Sequence, residues 1–433
     1  MSTDEQASAA VGDRAAGGPR PAGRVAAVTL AVGAVAFVAL AAWLVPWQPV
    51  PGGTPAPVPA DSVFTAAQID RAESYATWAR VWSWSGLAVS LVVACWLGFS
   101  RTGRRWAGRV PGRWWLRVVL LVAAVSLAGW VATAPFRIGL RSLQLREGLA
   151  TSSWGAWARD QLVSEAVTVA VTSFALVLAV GCARRWRAAW PAVLAAVLGV
   201  AVLLGSYAYP VLIEPLFNSF EPLPAGHLRS AILDLADQEG VAVDDVLVAD
   251  ASRRTTALNA YVSGFGDTRR VVVYDNLVDQ RPEDEVLSVV AHELAHAGHD
   301  DVLVGTVLGV AGVVAGTGLL ALLLLGWERR GVVRLRDGTA VPAVLALVAV
   351  AGVVAAPVQN GISREVETRA DVVALRTTGD SASFVALQKE LALANLSDPT
   401  PPRISQWWFG SHPTVLERVA LASRIGGAGA TRR

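Results

Sequence analysis

Residues 285–301 read EVLSVVAHELAHAGHDD, and the rest of the chain is organised around this segment. At its centre His292 and His296 stand four residues apart, a spacing that projects both imidazoles from one face of a helix. Two ligands for one metal ion follow. Glu293, beside the first histidine, can then take a proton from a water that the metal activates without binding the metal itself, which is the arrangement of a zinc peptidase. Val286, Leu287, Val289, Val290, Leu294 and Ala297 supply a face to bury, and burial keeps bulk water from the ion. A helix can carry such a pattern by accident. Here, however, three of the five histidines in 433 residues, His292, His296 and His299, fall within eight positions. His299 reads as a helix C-terminal residue satisfying the last carbonyls rather than as a ligand.

With 53% hydrophobic and 17% charged residues and a mean hydropathy of +0.45, the chain is too apolar for an ordinary soluble enzyme and reads as a polytopic membrane protein. Its net charge of +2, with no basic stripe interleaved with aromatics, excludes nucleic acid as a partner. Cys95 and Cys182 sit in apolar runs, with neither a disulfide framework nor metal-ligand spacing.

Residues 1–23, rich in Ala, Gly, Ser and charge, read as a disordered tail. Within 24–208 come five apolar runs of bilayer length, at 25–45 and about 81–99, 118–136, 166–183 and 188–207. The first exceeds the usual core of a signal peptide and lacks a clean cleavage site, so it reads as an uncleaved anchor. Residues 46–59 form a proline-rich connection. From 209 to 301 charge becomes frequent. A helix is expected at 227–239, a strand at 246–249, and a β-hairpin from 259–265 and 270–274 around Gly266-Asp267-Thr268. Two more spans, 302–327 and 341–358, fill 302–361, followed by a mostly helical polar part at 362–423 and a flexible tail at 424–433.

Two histidines leave zinc short of a third protein ligand, and a hydrolytic site also needs one open position. Glu367 and Asp371 lie at i, i+4 on a helix expected after the last span. Glu367 can ligate while Asp371 hydrogen-bonds a ligand histidine. Charged helix faces are usually just solvated. Topology argues otherwise, because two spans return the chain to the side of the membrane that carries His292 and His296.

His292-Glu293-x-x-His296, followed by two spans and Ser363-Arg364-x-x-Glu367-x-x-Ala370-Asp371, resembles the type I CAAX prenyl proteases and the related bacterial HtpX peptidases, membrane zinc enzymes. Tyr209-Pro210, Glu214 to Asn218 and Glu221-Pro222-Leu223 resemble the segment by which prenyl proteases enter their catalytic domain. Asn259-Ala260-Tyr261, followed by Gly264, is similar to the family's substrate-binding edge strand, and Ser411-His412-Pro413 to a motif whose histidine steadies the tetrahedral intermediate. The chain departs from the pattern at Ala295, where the family usually has glycine, and at Thr368, where it usually has an aromatic residue.

The resemblance implies a mainly α fold, a seven-span transmembrane helical bundle carrying a zincin-like α+β metalloprotease domain with a short β-hairpin. It implies one Zn2+ per chain on His292, His296 and Glu367, with Asp371 behind a ligand, Glu293 and His412 catalytic, and Asn259, Ala260 and Tyr261 binding substrate. The expected activity is endoproteolysis of membrane-associated peptides or proteins at the lipid bilayer. An HtpX-like quality-control protease and a non-catalytic receptor or scaffold are the alternatives; the intact Glu293 argues against the last, since a structural site needs no general base. Two arguments about sidedness collide. The 101–117 connection holds six arginines and no acid, and 184–187 and 329–336 add more, which places these connections in the cytoplasm and the catalytic segments outside. The resemblance implies a cytoplasmic site.

Overall fold

The computed structural model describes residues 21–243, 246–264 and 269–430. The membrane part comprises α1 (Pro21–Leu44), α2 (Ala66–Phe99), the short basic α3 (Arg101–Arg109), α4 (Trp114–Arg146), α5 (Trp154–Arg185) and α6 (Trp190–Leu212). Then come β1 (Phe220–Pro222), α7 (His227–Gln238), β2 (Val246–Ala249), β3 (Ala260–Ser263), β4 (Arg270–Tyr274), α8 (Asp275–Gln280) and α9 (Glu283–Gly298). The chain closes with α10 (Asp301–Arg329), α11 (Val341–Thr378), α12 (Ser381–Ala394), α13 (Arg403–Phe409) and α14 (Val415–Ala430). Among the described residues seven helices, α1, α2, α4, α5, α6, α10 and α11, are long and apolar enough to cross a bilayer. A helix satisfies its own backbone polar groups where no water is present, which suits such runs to hydrocarbon.

Helices α2, α4 and α5 run 34, 33 and 32 residues, roughly 50 Å at 1.5 Å per residue against a hydrocarbon core of about 30 Å. Their polar ends project toward the 209–300 segment and the part that follows α11, and tie both to the bundle. Arg80 of α2 pairs with Asp398 at 2.7 Å, the Thr151 amide donates to the Arg254 carbonyl at 3.0 Å, and Arg254 pairs with Asp160 of α5 at 3.2 Å.

Helices α1 and α10 pack backbone to backbone. A Cβ on Gly33 would stand 2.3 Å from the Ala315 amide nitrogen, and one on Gly318 would stand 2.3 Å from that of Leu30. With no gain from expelling water between helices in lipid, such close van der Waals approach is what joins them.

The four-stranded sheet has the order β1-β2-β4-β3, with β2 and β4 parallel and the outer pairs antiparallel. Helix α9 buries Val286, Val290 and Leu294 together with Val246, Val271, Val273 and Ile232. Its first turn carries Glu283, Asp284 and Glu285, which suits the positive end of the helix dipole. Strand β3 is left as an edge.

Several boundaries differ from the sequence reading. Helix α1 begins at Pro21, inside the expected 1–23 tail, whose first twenty residues lie outside the described residues, as do Gly266, Asp267 and Thr268 of the expected hairpin turn. α6 continues four residues past the expected boundary at 208, the arginine-rich connection contains α3, and β1 was not expected. The last span and the helix bearing Glu367 are one unbroken 38-residue helix, α11, so no division falls at 361/362. α14 continues through Ala430, beyond the 424 at which a flexible tail was expected. Pro357 inside α11 leaves the Val353 carbonyl without its usual donor, and the Trp408 indole N–H of α13 supplies one at 2.8 Å.

The three basic connections meet at the end of the bundle opposite the sheet. Arg184 donates to the Arg336 carbonyl at 2.7 Å, Arg336 to that of Ala183 at 3.2 Å, and Arg117 to that of Asp337 at 3.2 Å.

The glycine contact is testable. Gly318→Val should destabilise the protein by roughly 1–3 kcal/mol or more, visible as a lowered unfolding temperature in detergent. Gly316→Val, where an added Cβ meets nothing within 4 Å, should leave that temperature unchanged; equal effects would refute the close packing of α1 on α10.

Candidate metal centre

Helix α9 presents His292 and His296 to α11, where Glu367 faces them. The two Nε2 atoms lie 3.2 Å apart, Glu367 Oε2 lies 3.2 Å from His292 Nε2, and Glu367 Oε1 lies 3.7 Å from His296 Nε2. Ligands at about 2.0–2.1 Å around a tetrahedral zinc stand roughly 3.3 Å from one another. One donor atom from each residue falls in a group no wider than 4.8 Å. Glu367 Oε2 is buried and, despite its nearness to His292, makes no hydrogen bond among the described residues. An orphaned buried carboxylate oxygen beside two ring nitrogens fits a metal, and the nitrogen-rich donor set favours zinc over calcium or magnesium.

Each imidazole is held from behind. His292 Nδ1 lies 2.9 Å from Asp371 Oδ1, and His296 Nδ1 lies 2.9 Å from Asp301 Oδ2. A proton on each Nδ1 leaves the Nε2 lone pairs facing the common point. Asp371, completely buried, is itself held by Arg418 of α14, whose Nε donates at 2.8 Å and whose Nη2 makes a second bond. Arg369 holds Asp301 through a single Nη2 donor to Oδ1. Burial by itself would lower the pKa of His292, but Asp371 and Glu367 outweigh it and lift the value to about 10, so the pocket attracts positive charge.

Glu293 lies between this cluster and the edge strand, where its Oε2 accepts the Val262 amide at 3.2 Å. Burial pushes its carboxyl above the ordinary glutamate value. His412 sits at the mouth, 59% exposed, with Nε2 3.3 Å from Glu367 Oε1 and Nδ1 2.8 Å from the Ser411 hydroxyl. Its loop is pinned to α11, because Arg364 donates to the carbonyls of Gln406 and Gly410 and Asn360 to that of Trp408. His299 is the C-cap of α9 and donates from Nδ1 to the Ala295 carbonyl at 2.8 Å, away from the cluster.

The structure therefore brings together His292, His296, Glu367, Asp371, Glu293 and His412. The expected strand residues are less direct. Ala260 is buried and the Tyr261 hydroxyl points to Glu214 at 3.4 Å; Asn259 gives its carbonyl to the Tyr274 amide, and the strand reaches the site through Val262. Beside β3 lies a pocket of about 490 Å³ lined by Tyr209, Glu214, Asn218, Tyr261, Ser263 and Val302. Glu214 within it pairs with Arg270 and accepts the Ser263 hydroxyl.

Sequence reasoning missed Asp301, Arg369 and Arg418. Asp301 follows a left-handed turn at Asp300 (φ 52°), which reverses the chain between α9 and α10 and folds Asp301 back onto His296. Its signal was an acid placed immediately after a charged helix end; Arg418 left none.

Comparison with known proteins matches residues 222–425 to the model of peptidase family M48 and residues 54–219 to that of the CAAX prenyl protease N-terminal region with five membrane helices. An uncharacterized metalloprotease of Bacillus subtilis, YhfN, is 29% identical over 344 residues, 76% of this chain and 78% of that protein. A CAAX prenyl protease 1 homolog of Arabidopsis thaliana is 48% identical over 89 residues, 20% of this chain and 21% of that protein. The crystal structure of S. mikatae Ste24p shares the fold, with a TM-score of 0.74 at 20% identity over 92% of this chain and 98% of that one.

Removing the support behind one ligand should weaken the whole set. Asp301→Asn is expected to lower zinc affinity by about ten- to a hundredfold, measured by competition with a chelating dye on the purified full chain. Unchanged affinity would show that Asp301 does not orient His296.

Proposed function

The chain belongs to peptidase family M48, a membrane metalloprotease, and from that premise we propose that it is a zinc-dependent endopeptidase cutting membrane-associated peptides or proteins in extended conformation. The observation that supports this best is the convergence of His292, His296 and Glu367 on one point, with an orphaned carboxylate oxygen among them. The chemistry that zinc supplies when bound is Lewis acidity, which polarises the scissile carbonyl and makes water nucleophilic near neutral pH.

The chain's own residues do the rest. Glu293 is the general base: a carboxylate made more basic by burial takes the proton of the attacking water and passes it to the leaving amine. His412, exposed at the mouth, donates a hydrogen bond to the oxygen that gains charge, a contribution of about 2.7–4 kcal/mol for donors of this kind. Edge strand β3 holds the substrate as an added strand, so recognition rests on backbone shape, and alternate substrate side chains face the pocket at Tyr261 and Ser263. Prenyl protease-like work on lipid-bearing peptides suits the five-helix region preceding the metal helix.

The site and the basic connections occupy opposite ends of the bundle. Positive residues stay in the cytoplasm during insertion, which makes the site extracytoplasmic.

Three experiments test these statements. Glu367→Ala should lose most bound zinc while Glu365→Ala keeps it, and the opposite result would move the ligand. Glu293→Gln should keep zinc and the unfolding temperature yet lose peptide cleavage by a factor of 10² or more; full residual activity would remove its role as base. A reporter active only outside the cytoplasm, fused after Arg424, should be active, and activity of a cytoplasm-only reporter there instead would reverse the orientation.

A further inference from the structure

A second cavity, of about 400 Å³, opens at the arginine end of the bundle, far from the metal centre. Its walls include Arg187, Arg329 and Arg336, with Ala22 and Leu325 as apolar floor and Glu328 as the one acid. Glu328 accepts the Leu335 amide through Oε1 at 3.3 Å and makes no ion pair among the described residues, so the three arginines outnumber it in the cleft. Arg187 and Arg329 likewise have no hydrogen-bond or ion-pair partner among the described residues, and Arg336 uses only its Nε, on the Ala183 carbonyl. Three guanidinium groups thus face one cleft with their forked donors free, a geometry that matches phosphate oxygens.

The surroundings set the depth of this cleft. Trp327 lies two residues beyond Leu325 and packs edge-on against Phe99 at 5.6 Å, and Trp114 carries the Arg184 guanidinium over its ring at 5.3 Å. Tryptophan and arginine paired in this way mark the boundary between hydrocarbon and headgroups.

We propose that this cleft is a binding site for the phosphate headgroup of an anionic phospholipid, with Arg187, Arg329 and Arg336 as its donors. The lipid, rather than free phosphate, is favoured by the apolar floor and by the tryptophans that set the cleft at the headgroup boundary. Basic pockets between spans take anionic headgroups where a leaflet supplies them.

The test uses the purified full chain in detergent, with phosphatidylglycerol, phosphatidylcholine or inorganic phosphate added. Native mass spectrometry should show one phosphatidylglycerol retained per chain, and the unfolding temperature should rise by several degrees with that lipid alone. Arg187→Gln/Arg329→Gln, which removes two guanidinium groups that hold nothing else among the described residues, should reduce retention at least fivefold with zinc content unchanged. Arg109→Gln, at the same end but outside the cleft, should retain lipid like the parent. Equal retention of phosphatidylcholine, parent-like retention by the double variant, or equal protection by inorganic phosphate would each overturn the proposal.

Discussion

The carboxylate of Asp371 is the joint on which the site depends. Completely buried on α11, it meets His292 of α9 and Arg418 of α14, and so holds three helices from distant parts of the chain in one register. A carboxylate in such a place is tolerable only when paired and hydrogen-bonded, and removing one partner of a buried pair costs far more than the pair contributes. The same contact points His292 Nε2 at Glu367. Orientation of a ligand and docking of helices are here one interaction.

Helix α11 turns a membrane element into part of the site. Because it runs unbroken from Val341 to Thr378, Glu367 and Asp371 share one helix with the last span. The proline inside it opens one backbone carbonyl, and Trp408 closes that gap from α13. Arg364 and Asn360 then fasten the loop carrying His412 to the same helix. Ligand and mouth of the site are therefore referenced to a single helix, which matters for a reaction sensitive to placement at the ångström scale.

The molecule is also polarised electrically. Residues 209–300 hold sixteen acids against six arginines, whereas the connections at the far end are dominated by arginine. Such separation along the bundle axis gives insertion a direction, and it leaves guanidinium groups at one end outnumbering the carboxylates there.

By itself the sequence determined the apolar middles of the seven spans, the strands of the hairpin, and the facing of His292 with His296, because those depend on spacing within one element. It also pointed to Glu367 through a parity argument, two spans returning the chain to the same side. The polar extensions of α2, α4 and α5 stayed hidden because hydropathy averaged over a bilayer length sees only the apolar centre. The join of the last span to the Glu367 helix was hidden for the same reason, since polarity changes there although the backbone does not. Arg418 and Val262 were decided by tertiary structure alone, and Asp301 by the turn that folds it back onto His296. Each reaches the site through a reversal, a helix crossing or a strand edge, and such contacts follow from how elements pack in space, which no fixed interval along the chain encodes.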